Sequence, residues 1–515
     1  MYLVLLAACV WGGWLLCSAA ACRASVFYYF FCGGVWFTGG LFDSCSVSVL
    51  LMLLVCFGFV SGYTIHYLGW GWSAVDLKYL ICLFVGVMSS LIFTFDFLAS
   101  LVFWEFLGVV SFFLILFYLN YSGLRSSVVT LVSSRFGDVS LFFIIGGAFY
   151  FYSVGYMWCV FMLMVICTKS ASFPFVSWLL EAMRAPTPVS SLVHSSTLVA
   201  AGVWFSLRYD LAGLVGNNPS LFSVMVFSVL VTGVASFFFF DLKKIVALST
   251  CNNINWCIIY LCLGGVYLSL FQLVCHGVSK CLLFMMVGDV MSGSGGSQAG
   301  NFCYSSSSYG RYGAFGLVSL VLGLSGAPFI GVFFTKHVML AGLFGVYSPL
   351  LLVSLFGGVF LSYFYSYRLC RVLISSRSSG SVGVLFVCSS CSVVYWWMFL
   401  NYFVAGCLDE CYSLGLGATA GISVFQALAC WLCWVAYDSV VLGGLASSLF
   451  GVDNLVELVY LCSNLLMERT SVCVLRWDSY VVSNIIPTVT PQLSLSVITA
   501  IIIGFCGILT CLLFY

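Results

Sequence analysis

Long stretches of this chain carry no Asp, Glu, Lys or Arg, among them residues 44–75, 139–168, 211–240, 245–279, 378–408, 411–437 and 479–515. Each exceeds the roughly 20 residues a helix needs to cross the hydrocarbon core of a bilayer. Inside lipid every backbone polar group must be satisfied by the chain itself, which leaves helices or closed barrels. The alternation expected of a membrane barrel is missing. The pattern therefore predicts an all-α polytopic membrane protein with about 14–16 transmembrane helices and short connections. Composition agrees, since 63% of the residues are hydrophobic and only 6% are charged, whereas ordinary soluble domains are about a quarter charged. A formal net charge of +1 offers no electrostatic case for nucleic acid, so the first partner is membrane lipid.

The opening residues, MYLVLLAACVWGGWLLC, read as a first spanning helix. They lack a basic leader and do not form a clear signal or transit peptide. That fits direct insertion, or synthesis inside an organelle. The 26 cysteines are scattered through apolar runs, where free Cys behaves as a small hydrophobe. The pairs Cys388–Cys391 and Cys430–Cys433 have Cys-x-x-Cys spacing but lie within long apolar segments, so no metal site is assigned. Phe, Gly, Val, Leu, Cys and Trp, all in excess, share codons rich in T and G. That skew resembles the mutation bias of a small organelle genome.

Charge and composition divide the chain. Residues 1–75 form N-terminal transmembrane helices, with Arg23, Asp43 and His66 near their ends. Residues 76–210 and 211–370 form two charge-bearing blocks, the second interrupted by a polar loop at 292–311. Residues 371–437 open with Arg371 and Arg377 and supply further transmembrane helices. Residues 438–485 carry Asp438, Asp453, Glu457, Glu468, Arg469, Arg476 and Asp478, too many charges for a comfortable span. A last clean segment, 492–515, follows Pro487 and Pro491. In each block a lysine stands near a proline, Lys169 with Pro174 and Lys336 with Pro328. Interrupted segments in matching positions of two halves point to a transporter's ion site.

Ionisable residues inside a membrane are costly and are functional candidates by default. The run CTKSASFPFVSWLLEAMRAPTPVSSLVHSSTLVAAGVWFSLR, residues 167–208, places Lys169 ahead of Pro174 and His194 after Pro186 and Pro188. A proline there frees backbone groups that need water or partners. A buried amine loses the solvation that holds its proton, and an adjacent carboxylate restores it; the alternative for Lys169 is snorkelling to an interface. His194 suits proton relay near neutral pH, or it is an imidazole satisfied by the Ser and Thr around it. Glu105 is the one charge between residues 97 and 124. It is ionised if a cation lies near and a neutral acid otherwise. Arg135 and Asp138, three apart on one helix face, read as a structural ion pair. Gln272, His276 and Lys280 fall at i, i+4 and i+8 and form one polar stripe, as a hydrated path requires. Lys336 and His337 read as an exit group or an interfacial anchor. Asp241, Lys243 and Lys244 read as a structural helix boundary.

The segments WEFLGVVSFFLI, SSRFGDVSL, TKSASFPFVSWLLEAMRAPTPVSSLVHSSTLVAAGVW, DLKKIVALST, HGVSKCLLFM and GAPFIGVFFTKH occur in this order. Together they resemble the chain 5 family of mitochondrial NADH–ubiquinone oxidoreductase, the antiporter-like membrane chains of respiratory complex I. The resemblance covers roughly residues 76–340, and APTPVSSLVHSST is its most specific part. It implies two inverted five-helix repeats with broken helices, a lateral helix over 438–485 and an anchor helix over 492–515. It implies a proton path through Glu105, Lys169, His194, His276, Lys280 and Lys336, supported by Arg135, Asp138 and Gln272, with helix breaks at Pro174 and Pro328. Two positions depart from the family: Gln272 stands where histidine is usual, and His337 where aspartate is usual. The resemblance also implies a proton-translocating subunit with no redox centre of its own in the mitochondrial inner membrane. NADH, FMN, iron–sulfur clusters and ubiquinone would belong to other chains, and a neighbouring antiporter-like chain would be its partner. The alternative is a stand-alone cation/proton antiporter subunit. A haem- or quinone-carrying redox subunit is disfavoured, because His66, His194, His276 and His337 lie in separate segments.

Overall fold

The computed structural model describes residues 25–31, 36–148, 155–209, 219–303, 305–306, 310–327, 330–343, 349–374, 378–379, 387–405, 416–437, 452–477 and 479–480. It divides into a unit of residues 1–442 and a unit of residues 443–515. Pro328, the first apolar segment at 1–24 and the anchor segment at 492–515 lie outside the described residues.

The described part of the first unit begins with a hairpin where the sequence suggested helix. Strands β1 (Ser25–Phe31) and β2 (Trp36–Phe42) pair antiparallel, Ser25 opposite Phe42. Aromatic and β-branched residues dominate β1, and Gly39 and Gly40 interrupt β2, so strand propensity outweighs helix propensity there. Helix α1 (Ser44–Leu68) begins at a reciprocal cap. Asp43 Oδ1 accepts from the Ser46 backbone N–H at 2.8 Å, and Ser46 Oγ accepts from the Asp43 N–H at 2.9 Å. Helices α2 (Trp72–Phe93), α3 (Phe97–Ile115) and α4 (Tyr121–Ala148) follow, each packed on the next.

Two later helices are interrupted. Helix α5 (Gly155–Ser170) stops short, and short helices α6 (Val176–Ala182) and α7 (Thr187–Leu192) lead through a π turn at Val193–Thr197 into α8 (Leu198–Arg208). After α9 (Pro219–Phe238), α10 (Leu242–Cys262) and α11 (Val266–Gly293), helix α12 (Gly310–Ser325) stops and α13 (Phe333–Leu343) resumes. Helices α14 (Pro349–Ile374), α15 (Val387–Ala405) and α16 (Leu416–Tyr437) complete the described part of this unit. The two-residue strands β3 (Ser305–Ser306) and β4 (Ser378–Ser379) pair in parallel.

Seven helical segments among the described residues are long and apolar enough to cross a membrane. The chain is an all-α polytopic membrane protein. Its polarity is inverted relative to a soluble protein. Segments 187–208, 242–262 and 266–293 are 100%, 94% and 89% buried across their most apolar windows, and they are among the least hydropathic of the seven. They carry His194, Lys243, Asn252, Asn253, Asn255, His276 and Lys280, all buried. The outer helices instead expose Phe106, Phe113, Phe136, Phe142 and Phe143. Lipid rewards apolar surface outside, so polar chemistry collects at the centre.

In the second unit, α17 (Val452–Trp477) is one continuous helix of 26 residues. Its described side chains, from Leu458 on, are exposed.

Candidate functional site

The first break is bridged by hydrogen bonds from several directions. Helix α5 ends at Ser170, and Ala171 takes φ +54, a left-handed conformation that alanine rarely adopts. Pro174 lies in the gap, and the Phe173–Pro174 bond is cis. Carbonyls near the helix end find donors outside the regular ladder. Ser170 Oγ donates to Ile166 at 2.6 Å, the Ser172 N–H to Cys167 at 3.1 Å, and Trp178 Nε1 to Thr168 at 2.9 Å. Ser172 Oγ then donates to Asn255 Oδ1 on α10 at 2.7 Å. Two glycines allow close approach at this point. A Cβ on Gly137 would collide with Thr168 Oγ1, and one on Gly202 would lie 3.0 Å from the Ser170 nitrogen.

Lys169, in the last turn of α5, is completely buried. Its Nζ donates to the Trp104 carbonyl at 3.3 Å and lies 5.2 Å from the Trp104 ring centroid. The charges it feels are Asp138, then Arg135, then Glu105. Glu105 does not pair with Lys169 directly. Its partner is Arg135, 3.1 Å away, and the same guanidinium nitrogen reaches Asp138 at 3.2 Å. Arg135 therefore links two carboxylates, one partly exposed (Glu105, 35%) and one buried (Asp138, 3%). The stronger attraction on Lys169 comes from Asp138, which the sequence reading treated as support only.

His194 sits in the π turn, a local widening that recurs at functional sites. It lines a small cavity with Lys169, Trp178, Ser133, Ser134 and Thr168, a space on the scale of a single water. Neither ring nitrogen meets full hydrogen-bond geometry, and the Ala182 backbone lies within hydrogen-bonding reach of the ring. The neighbouring hydroxyls do not serve it. Ser191, Ser196 and Thr197 each donate to backbone carbonyls of their own helix.

Helices α10 and α11 form a second polar seam. Lys243 is buried, and its Nζ donates to the Ala185 carbonyl at 3.2 Å while its charge reaches His194. Sequence reasoning placed Lys243 at a helix boundary because Asp241 and Lys244 flank it. Those two do pair at 3.1 Å on the partly exposed side, while Lys243 turns inward. One turn further along α10, the Val246 carbonyl accepts from Lys280 Nζ at 3.2 Å, and Ser249 Oγ is a second partner. His276 follows on α11, buried beside Lys280 with both ring nitrogens lacking a hydrogen bond. Gln272 continues the stripe. Its Oε1 accepts from Thr335 at 2.7 Å and its Nε2 donates to Asn253 at 3.5 Å. Next to Thr335, Lys336 reaches back across the second break. It donates to the Ser325 carbonyl at 2.7 Å and to Ser362 Oγ at 2.8 Å, with the Trp256 ring 6.0 Å away. His337 instead packs on Phe333, ring centroids 5.4 Å apart.

Four buried lysines thus share one design. Lys169, Lys243, Lys280 and Lys336 each donate to a backbone carbonyl. Carbonyls and hydroxyls accept from an ammonium and from a neutral amine alike. The geometry of such a site survives loss of the proton. Within the set, Lys169 is the lysine with carboxylates in its field.

Comparison with known proteins bears on what this arrangement serves. The transmembrane model of the NADH:quinone oxidoreductase/Mrp antiporter family matches residues 94–362. The chain is 32% identical over 389 residues to NADH-ubiquinone oxidoreductase chain 5 of Ascaris suum, covering 71% of this chain and 70% of that one. It is 33% identical over 386 residues to the Caenorhabditis elegans chain 5, covering 70% and 72%, and 36% identical over 364 residues to that of Mytilus edulis, covering 65% and 62%. Among solved structures it resembles a chain of the Mrp complex from Dietzia sp. DQ12-45-1b, with TM-score 0.68 at 19% identity, covering 98% of this chain and 61% of that one. It also resembles a chain of the membrane-bound sulfane sulfur reductase, an archaeal respiratory membrane complex, with TM-score 0.63 at 16% identity, covering 78% and 87%. At these identities the two structures speak to the fold alone.

Proposed function

The chain belongs to the NADH:quinone oxidoreductase/Mrp antiporter membrane family, and on that premise we propose that it moves protons within the membrane arm of a respiratory NADH:ubiquinone oxidoreductase. The observation that carries this reading is the run of buried lysines on neutral acceptors, interleaved with two histidines whose ring nitrogens lack full hydrogen-bond geometry. Such groups can gain and lose protons without rebuilding their surroundings. The proposed path runs from the Glu105–Arg135–Asp138 cluster to Lys169 and His194, then through His276 and Lys280 past Gln272 to Lys336. Lys243, on α10 between His194 and Lys280, joins it.

Arg135 is the adjustable element of this proposal. While it is held by Glu105 and Asp138, it withdraws negative charge from Lys169. When it moves away, Asp138 is freed to hold the ammonium form, because an opposite charge within about 4–6 Å favours the charged state. Gln272 hydrogen-bonds but carries no cationic proton, so at that point the path passes protons through the Gln272–Thr335 bond and water. The driving energy comes from partner subunits that hold NADH, FMN, iron–sulfur clusters and ubiquinone. A neighbouring antiporter-like chain abuts this one in the mitochondrial inner membrane, and α17 lies along the membrane plane.

Lys169→Ala tests the path. Assembly stays largely intact while proton pumping falls, and coupled NADH turnover falls with it. An assembled Lys169→Ala complex that pumps at the normal proton-to-electron ratio would sink the proposal. The second reading, a stand-alone cation/proton antiporter subunit, follows the other branch that the family description names. Purification separates the two, since the first requires that the chain travel with a flavin-containing, NADH-oxidising complex.

A further inference from the structure

A second titratable cluster lies outside the lysine run. His66, in the last turn of α1, sets Nε2 3.4 Å from Asp289 Oδ1 near the end of α11. The imidazole is 21% exposed and the carboxylate 3%. One turn earlier on α1, Tyr63 is fully buried, and its hydroxyl lies within interaction range of both Asp289 and Thr187. Gly288 makes room for it. A Cβ there would collide with the Tyr63 hydroxyl and lie 3.4 Å from Thr187 Oγ1. Thr187 opens α7, and the π turn that continues α7 carries His194 seven residues on, about 10 Å at the helical rise.

The choice of histidine is informative. At the other end of α1 the capping carboxylate takes a guanidinium that carries its charge at any working pH, Arg208 Nη1 to Asp43 Oδ2 at 2.8 Å. At Asp289 stands the side chain whose ordinary charge change falls between about pH 5 and pH 8. An imidazole in that place can carry a proton as well as hold the carboxylate. Behind it stand two hydroxyls, each able to accept one proton while donating another.

We propose that the His66–Asp289 pair is a proton-uptake site that feeds the His194 cavity through Tyr63 and Thr187. His66 takes a proton from water and passes it to Asp289. Tyr63 accepts that proton as it gives its own to Thr187, and Thr187 releases its proton inward, so each hydroxyl ends as it began. The last step, over about 10 Å, runs through water. Among the described residues, the titratable groups around the pair are Tyr63 and Tyr67 on α1, with Tyr118 beside Tyr67 after α3. This site rests on the proton-translocating reading above.

The test uses the assembled complex in sealed vesicles. Initial rates of NADH-driven proton uptake are recorded for the parent, His66→Gln and Asp289→Asn at about pH 6.5 and about pH 8.5, one within the histidine range and one above it. Both variants are expected to pump near the parental rate at the lower pH. At the higher pH, where free protons are scarce and a collecting pair matters most, they fall severalfold behind. Parental rates at both values overturn the proposal, as does a loss of equal size at both, which a merely structural pair produces. If Asp289→Asn does not assemble, His66→Gln decides alone. If neither assembles, the pair is structural and the proposal falls. Lys169→Ala, run alongside, separates the two claims. Normal pumping by Lys169→Ala defeats the proton-path reading, whereas a pH-independent His66→Gln defeats only the uptake site.

Discussion

Lys169 shows how much a single guanidinium can decide. Glu105 and Lys169 look like partners in the sequence, yet Arg135 intercepts Glu105 and leaves Asp138 as the leading charge on the lysine. Asp138→Asn is therefore expected to slow proton translocation by about tenfold, equivalent to about 1.4 kcal/mol of barrier. Glu105→Gln is expected to cost only about twofold to threefold, under about 0.7 kcal/mol. Initial rates of vesicle acidification give the order, and a larger loss for Glu105→Gln would contradict the assignment. Gln272 permits a second comparison at this scale. It accepts from Thr335 and donates to Asn253, and a neutral imidazole offers one acceptor and one donor as well. Gln272→His should assemble normally and pump at least as fast as the parent. Gln272→Leu takes the Gln272 donor from Asn253 at a cost of about 1–3 kcal/mol, while Thr335 keeps the Val332 carbonyl, and its lowered thermal stability in detergent would report that.

At the scale of elements, the break after α5 is held open by donors arriving from several directions. Trp178 alone serves the Thr168 carbonyl, the residue beside Lys169. Trp178→Phe keeps the ring and removes the N–H, so it should destabilise by about 1–3 kcal/mol and lower the thermal midpoint of the purified complex. An unchanged midpoint would mean that the carbonyl finds another donor. Ala171, at φ +54, carries backbone strain that glycine would not. Ala171→Gly is expected to be neutral or stabilising by up to about 1 kcal/mol, although substituting glycine elsewhere in a helical region usually destabilises. A marked loss of stability in this variant would show that the left-handed turn costs nothing. The two breaks also differ in how they use their lysines. Lys169 precedes its gap, whereas Lys336 follows the second one and reaches back to the carbonyl of Ser325, the last residue of α12. There the negative end of the helix dipole favours a cation.

Across the whole molecule the governing fact is that lipid replaces water as the outer solvent, and this sets which parts of the structure could be read in advance. For α17, length does not decide orientation, since 26 residues extend about 39 Å, enough to cross a bilayer. Its charges Glu468, Arg469 and Arg476 favour a position in the membrane plane. Labels at residues 453 and 476 should then be reached from the same side of sealed vesicles, and access from opposite sides would establish a crossing helix. The helical, membrane-spanning character of the chain, its buried ionisable residues and the interruption around Pro174 were all legible in the sequence, because each depends on local composition over one or two turns. The β1–β2 hairpin was not, since a short run of aromatic residues is equally apolar as helix or strand. Nor was the inward turn of Lys243, the capture of Glu105 by Arg135, or the meeting of His66 with Asp289. Each of these depends on which faces of separate helices come together. In an outer helix that is apolar all round, no polar stripe marks the face that turns inward, so only the packed bundle decides which charges meet.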